Sequence, residues 1–260
     1  MTSLKALGLG IVTVANRKGG VGKTASAISI ASGLAKTGEK VLVIDGDPQG
    51  NMSLFFLGAD RDREGFSGFL GALGDGAAPK LESYINKNVR RNLDLLPAGK
   101  GWLGFFREET VTKRIGEKFG EILASAKIGY RWIIIDTSPA HGALERMLIS
   151  SSEALIVPLE FQRFSIAGLE TLMGEVEKCS VESGRPIRIQ ALLFTKAEHN
   201  VARVDAYREV FSSFGIPVFE VCKSEYVPKG LERGRTIWEN APGSYAARDY
   251  AALLNKAFFG

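Results

Sequence analysis

The chain has 260 residues, 45% hydrophobic and 24% charged, a balance that supplies a buried core and excludes an intrinsically disordered protein. The formal net charge of +4 and a sequence pI near 9.0 permit an anionic partner such as nucleic acid without demanding one. Cys179 and Cys222 form no paired motif, which excludes a disulfide scaffold or zinc site, and no apolar run reaches the ~18 residues of a membrane helix; the reading is a cytoplasmic protein.

In chain order, "GIVTVA" is a β-branched run entering a glycine-rich loop with no cleavage-site pattern, so it reads as a strand rather than a signal peptide. "TASAISIASGLAKTG" carries apolar residues on a helical period and stops at Gly38. "KVLVID" is a second buried strand, and residues 58–92, rich in glycine and charge, read as loops with short helices. "NLDLLPAG" is a strand closed by Pro97, "ETVTKRIGEKFGEILASAK" an amphipathic helix, and "RWIIIDTSPA" a strand whose apolar run ends on an acid. "EALIVPLE" and "IRIQALLFTK" are strands of the same kind, with a helix around 166–179 between them. A helix near 203–213, the strand "IPVFEV" and a helical C-terminus, "SYAARDYAALLNKAFF", complete the chain. Fully apolar strands alternating with helices predict an α/β fold, a doubly wound, mostly parallel sheet flanked by helices. No repeat or linker interrupts it, so residues 1–260 are read as a single domain.

The stretch "ANRKGGVGKTA" ends as a phosphate-binding loop, G-x-x-x-x-G-K-[ST], should, with Gly22, Lys23 and Thr24. Arg17 occupies the slot of the first glycine, and a second lysine, Lys18, follows it. Between a buried strand and a helix, such a loop aims backbone N–H groups at an anion, and the helix dipole favours it. Gly19, Gly20 and Gly22 allow close wrapping, Lys23 suits the β and γ phosphates, and the Thr24 hydroxyl suits Mg²⁺. Asp45 and Asp47 end the strand of "VLVIDGDPQGN", and Asp136 ends that of "WIIIDTSP", as a Walker B acid does. Strand ends in such sheets open into one crevice, so three carboxylates converge on one nucleotide.

"KGGVGKT", "VLVIDGDPQGN" and "WIIIDTSPA", in this order and spacing, resemble the ParA family of deviant Walker A ATPases. DPQGN is the most diagnostic string, and "NLDLLPAG" and "ALIVPLEFQRFSIAGL" extend the resemblance over nearly the whole chain. The resemblance implies a Mg²⁺-dependent ATPase of the P-loop fold, with ATP held by Lys18, Gly19, Gly20, Val21, Gly22, Lys23, Thr24 and Ala25. Ala25 stands where the family usually has a second threonine. By the same resemblance Lys18 crosses a nucleotide-sandwich homodimer to the partner's phosphates, Asp47 orients the attacking water, and Thr24, Asp136 and, in a lesser role, Asp45 belong to the metal site. The implied function is a dimerising switch for plasmid or chromosome partition or cargo positioning. Its ATP form would associate with the nucleoid by binding double-stranded DNA non-specifically, and a ParB-like or other adaptor would stimulate slow hydrolysis. The physics is coherent: a cation supplied in trans makes dimerisation depend on the γ-phosphate.

Departures come later in the chain. Cys222 and Lys223 stand where the family often has the Pro-Arg of its adenine-edge segment. The same stretch gathers Lys223, Lys229, Arg233 and Arg235, and family members bind DNA through basic residues in this region; Arg203 and Arg208 on the preceding helix are weaker candidates. No helix-turn-helix extension precedes the loop, which argues against site-specific operator binding. A MinD-like membrane-associated ATPase is the alternative, with "YAALLNKAFFG" as an anchor. From Asp249 onward, however, only Lys256 supplies a cation, and Tyr250, Leu253, Leu254 and Ala257 suit docking on the sheet. A metabolic P-loop enzyme is a further alternative, and it predicts a dedicated polar substrate pocket. His141 and His199 lack metal-ligand spacing, and Trp102, Trp132 and Trp238 form no stacking pattern.

Overall fold

The computed structural model describes residues 2–61, 64–101, 109–139, 142–161, 164–197 and 202–260. Trp102, His141, His199 and the side chain of Arg203 lie outside the described residues. The strands are β1 (Ile11–Val14), β2 (Val41–Gly46), β3 (Asn86–Arg90), β4 (Leu93–Leu96), β5 (Trp132–Thr137), β6 (Ala154–Leu159), β7 (Arg188–Ala197) and β8 (Val218–Cys222). They form one sheet in the order β3-β4-β2-β5-β1-β6-β7-β8. Every neighbouring pair is parallel except β3 with β4.

The helices are α1 (Lys23–Lys36), α2 (Asn51–Leu57), α3 (Phe66–Gly74), α4 (Glu109–Ala126), α5 (Ala143–Ser150), α6 (Phe164–Ser183), α7 (Ala202–Ser212), α8 (Tyr226–Glu232), α9 (Ile237–Asn240) and α10 (Tyr245–Leu253). They cover both faces, which is why the central strands are apolar at every position rather than at every second one. Alternate residues divide between two faces: Val12, Val41, Val43, Ile134 and Ile156 join α1 and the C-terminal helix, whereas Ile11, Leu42, Ile44, Ile133 and Ile135 join α3, α4 and α5. Leu155, Val157, Leu192 and Phe194 pack under α6 and α7.

The C-terminal segment docks as its apolar spacing suggests. Tyr250, Leu253, Leu254 and Ala257 are buried beside α1, and α10 continues as a π-helical turn over Leu254–Phe259. The Tyr250 hydroxyl lies 3.2 Å from Ser26 Oγ, and the Trp238 indole N–H donates to the Ser29 carbonyl at 2.8 Å. Trp132 is wholly buried in the core. Among the described residues no helix is long and apolar enough to cross a membrane.

Five elements among the described residues escape the sequence pattern: β3, α2, α5, α8 and α9. β3 falls inside the stretch read as loops; it is a half-exposed edge strand, "NKNVR", with no apolar face to announce it. α2, α5, α8 and α9 run for eight residues or fewer, too short for a helical period to stand out.

Candidate functional site

The ends of β1, β2 and β5 meet at the point where strand order reverses about β1, the place where open α/β sheets hold ligands. In register, Asp136 stands beside Val14 on one side and Asp45 on the other. The close approach of β2 to β5 requires Gly46: a Cβ there would sit 2.6 Å from the Asp136 carbonyl oxygen.

The loop from β1 into α1 is shaped from several sides. Gly20 and Gly22 hold φ of 76° and 82°, and Gly22 is the N-cap of α1 in the left-handed region, where a side chain is strained. Gly19 lies 4.0 Å from Pro139, measured from where its Cβ would be. Asn16 Nδ2 donates to the Pro158 carbonyl at 2.5 Å, and its Oδ1 accepts from the Lys18 amide at 2.9 Å. The Thr195 hydroxyl donates to the carbonyl of buried Val21 at 2.9 Å, so β7 fixes the loop's far side. Ala25, in the first turn of α1, accepts at its carbonyl from Ser29 Oγ at 2.7 Å.

Lys23 is buried, and its Nζ donates to the Lys18 carbonyl at 2.9 Å. Burial lowers its pKa below the ordinary lysine value, while Asp136, Asp47 and Glu145 act in the other direction. Asp136 is wholly buried, and among the described residues neither of its carboxyl oxygens has a hydrogen-bond partner. Burial, and then neighbouring Asp45, push its pKa well above the carboxylate range. Thr24 stands against this carboxyl and favours its ionised form without closing a hydrogen bond to it. A buried carboxyl with no donor costs several kcal/mol of free energy unless a cation or proton meets it.

Asp45 and Asp47 differ from Asp136 and from each other. Asp45 Oδ2 accepts from the Ser53 amide at 2.7 Å and the Ser53 hydroxyl at 2.6 Å, and Oδ1 accepts from the Asp47 amide at 3.3 Å. Its oxygens are thus engaged at the start of α2, and burial raises its pKa to about 6. Asp47 Oδ1 accepts from the Gln49 amide at 2.9 Å, an Asx turn that keeps the carboxyl within electrostatic reach of Lys23 and Asp136. The loop and the three acids therefore come together as their spacing suggests, with Asp45 turned toward α2.

The basic residues occupy another region. Lys223, Lys229, Arg233 and Arg235 are all exposed on the segment after β8. Lys229 pairs with Glu225 at 2.6 Å. Arg208 forms a forked pair with Glu220 on β8, one arm at 2.7 Å, which makes it part of the scaffold.

Sequence reasoning missed Glu145 and Glu160. Glu145, in the first turn of α5, is buried, and burial raises its pKa to about 7 against the pull of Arg17 and Lys23. Its helix was not read, so nothing marked it. Glu160 follows β6 and lies 3.5 Å from Lys18 Nζ; an acid closing an apolar strand, the same signal that marks Asp45 and Asp136, could have found it.

Comparison with known proteins agrees with this geometry. A model of the AAA domain family matches residues 9–189. Chromosome partitioning protein ParA of Caulobacter vibrioides is 30% identical over 215 residues, 82% of this chain and 79% of that protein. Chromosome-partitioning ATPase Soj of Treponema pallidum is 31% identical over 249 residues, 93% of this chain and 94% of that protein. A crystal structure of a putative plasmid partition protein from Borrelia burgdorferi B31 bound to AMPPNP shares the fold, with a TM-score of 0.75 at 24% identity over 95% of this chain and 97% of that one.

Proposed function

The chain belongs to the ParA family of partition ATPases, and from that premise we propose that it is an ATP-driven dimerising switch that binds duplex DNA without sequence preference. The observation that carries the nucleotide part of this reading is Asp136, a wholly buried carboxyl whose oxygens lack a hydrogen-bond partner among the described residues, beside Thr24 and Lys23 at the start of α1. That donor set fits Mg-ATP. Two oxygen ligands of the kind Mg²⁺ prefers face a glycine loop on a helix N-terminus.

Thr24 and Asp136 would hold the metal, which when bound supplies charge neutralisation at the β and γ phosphates. Lys23, with Gly19, Gly20, Val21, Gly22 and Ala25 around it, would bind the phosphates of its own subunit. Asp45 would position Asp47 and the start of α2 through its bonds to the Asp47 amide and Ser53. Asp47 would orient the water that attacks the γ-phosphate, and Lys18 of a second copy would stabilise the charge that develops there. Nucleotide state then sets oligomeric state, and hydrolysis, slow until an adaptor of the ParB kind accelerates it, resets the switch. Lys223, Lys229, Arg233 and Arg235 would meet DNA phosphates, and their contacts would be salt-sensitive. Cargo positioning and partition are two uses of the same cycle. The buried face of α10 weighs against the membrane-anchored alternative.

The test is an electrophoretic shift on an arbitrary duplex with ATP, with ADP and without nucleotide, alongside ATP turnover. Retardation confined to the ATP sample supports the reading. A chain that binds ATP yet shifts no duplex refutes the DNA-linked switch.

A further inference from the structure

Glu160 lies at the junction of β6 with the phosphate loop and receives two lysines from two other segments. Its Oε1 accepts from Lys196 Nζ at 2.7 Å, and its Oε2 lies 3.5 Å from Lys18 Nζ. Lys196 sits near the end of β7 with φ 56°, a left-handed conformation that a lysine seldom adopts. That backbone turn accompanies a second bond, from Lys196 Nζ to the Gly20 carbonyl at 2.9 Å. Glu160 is the more buried member of the cluster: its side chain is 17% exposed, against 40% for Lys18 and 56% for Lys196. Against burial, which acts upward, Lys196 and then Lys18 hold its pKa below the usual carboxylate range.

We propose that Glu160 is a positioning residue that retains Lys18 in its own subunit, and that Lys196 sets the strength of this hold by competing for the same carboxyl. The inference rests on the dimer reading above and adds to it a residue that governs how readily the dimer forms. A lysine that must reach a second copy's phosphates has first to leave its cis partner, and each subunit of a symmetric dimer makes that exchange once. A half-exposed ion pair is worth about two- to five-fold in an equilibrium, so releasing two of them shifts the dimer constant by about 4- to 25-fold. Lys196 moderates this hold, because a carboxylate already paired at 2.7 Å attracts a second cation less.

The experiment is sedimentation equilibrium of the full chain with Mg²⁺ and a non-hydrolysable ATP analogue, across protein concentration. Wild type, Glu160→Gln, Lys196→Met and the double variant are compared, with monomer affinity for the analogue measured in parallel. Glu160→Gln is expected to tighten the dimer by about 4- to 25-fold. Lys196→Met is expected to weaken it, since Lys18 then meets less competition at Glu160, and the double variant is expected to follow Glu160→Gln. Monomer affinity for the analogue stays level in all four. Dimerisation unchanged or weakened by Glu160→Gln, or a double variant that follows Lys196→Met, overturns the assignment, as does a parallel shift in monomer affinity. A wild type that binds the analogue and stays monomeric removes the dimer reading itself, an outcome distinct from a wild-type dimer indifferent to the substitutions.

Discussion

Lys23 and Lys18, five positions apart, are the same residue type in different surroundings, and the proposed roles follow from that difference. Lys23 is buried among acids with its Nζ on the Lys18 carbonyl, whereas Lys18 is half-exposed and lies 3.5 Å from Glu160. Asp47 is expected to act on water and not on binding: Asp47→Ala should cut single-turnover hydrolysis about 100-fold or more while leaving ATP affinity intact, and normal turnover would refute its role. Glu145 makes a different prediction. Its pKa is about 7 in the fold against 4.5 as an ordinary glutamate, so the folded state binds the proton more tightly than the unfolded chain. Acidification from pH 8 toward 5 therefore stabilises wild type through this group, by roughly 1 kcal/mol after allowance for screening. Glu145→Gln, permanently neutral, should melt above wild type at pH 8 and converge with it below pH 4.5 in nucleotide-free thermal melts. A pH-independent difference would contradict this. Lys18, Lys23, Thr24, Asp47 and Asp136 could be proposed from sequence because each sits in a short local string. Glu145 and Glu160 reach the loop from segments far off in the chain, which no local string records.

At the scale of elements, the site is held by junctions between strand ends and the helices that follow them. Ser53, in α2, donates to Asp45 with both its amide and its hydroxyl, and Ser53 Oγ accepts from the Ala98 amide at 2.8 Å. One hydroxyl thus joins the ends of β2 and β4 to α2. Ser53→Ala leaves a buried carboxyl and a buried amide short of partners and should cost about 1–3 kcal/mol. A chemical denaturation midpoint equal to wild type would contradict the junction. The central strands could be read from sequence because, buried on both faces, they are apolar throughout. β3 could not, since its edge position asks nothing of its side chains beyond tolerance of solvent. The count of eight strands among the described residues, against seven expected, comes from that difference.

For the whole molecule, the mild positive charge matters through its placement. Reversing Lys229, Arg233 and Arg235 to Glu changes the formal charge by six, from +4 to −2. ATP-dependent DNA affinity should then fall steeply, and the slope of log affinity against log salt should flatten by about three phosphate contacts. Undiminished binding would move the DNA face elsewhere on the surface. The doubly wound architecture was legible from the alternation of apolar strands and helices, whereas the docking of α10 beside α1, with Tyr250 against Ser26, depends on packing that sequence only hints at.

The central claim is that two copies close over nucleotide, each lending Lys18 to the other's phosphates. Light scattering behind size exclusion, with Mg²⁺ and a non-hydrolysable ATP analogue, measures it most directly. Wild type should elute at about twice 28.1 kDa and Lys18→Ala at the monomer mass with analogue still bound. Wild type at the monomer mass with the analogue bound, or Lys18→Ala dimerising as wild type does, would contradict it.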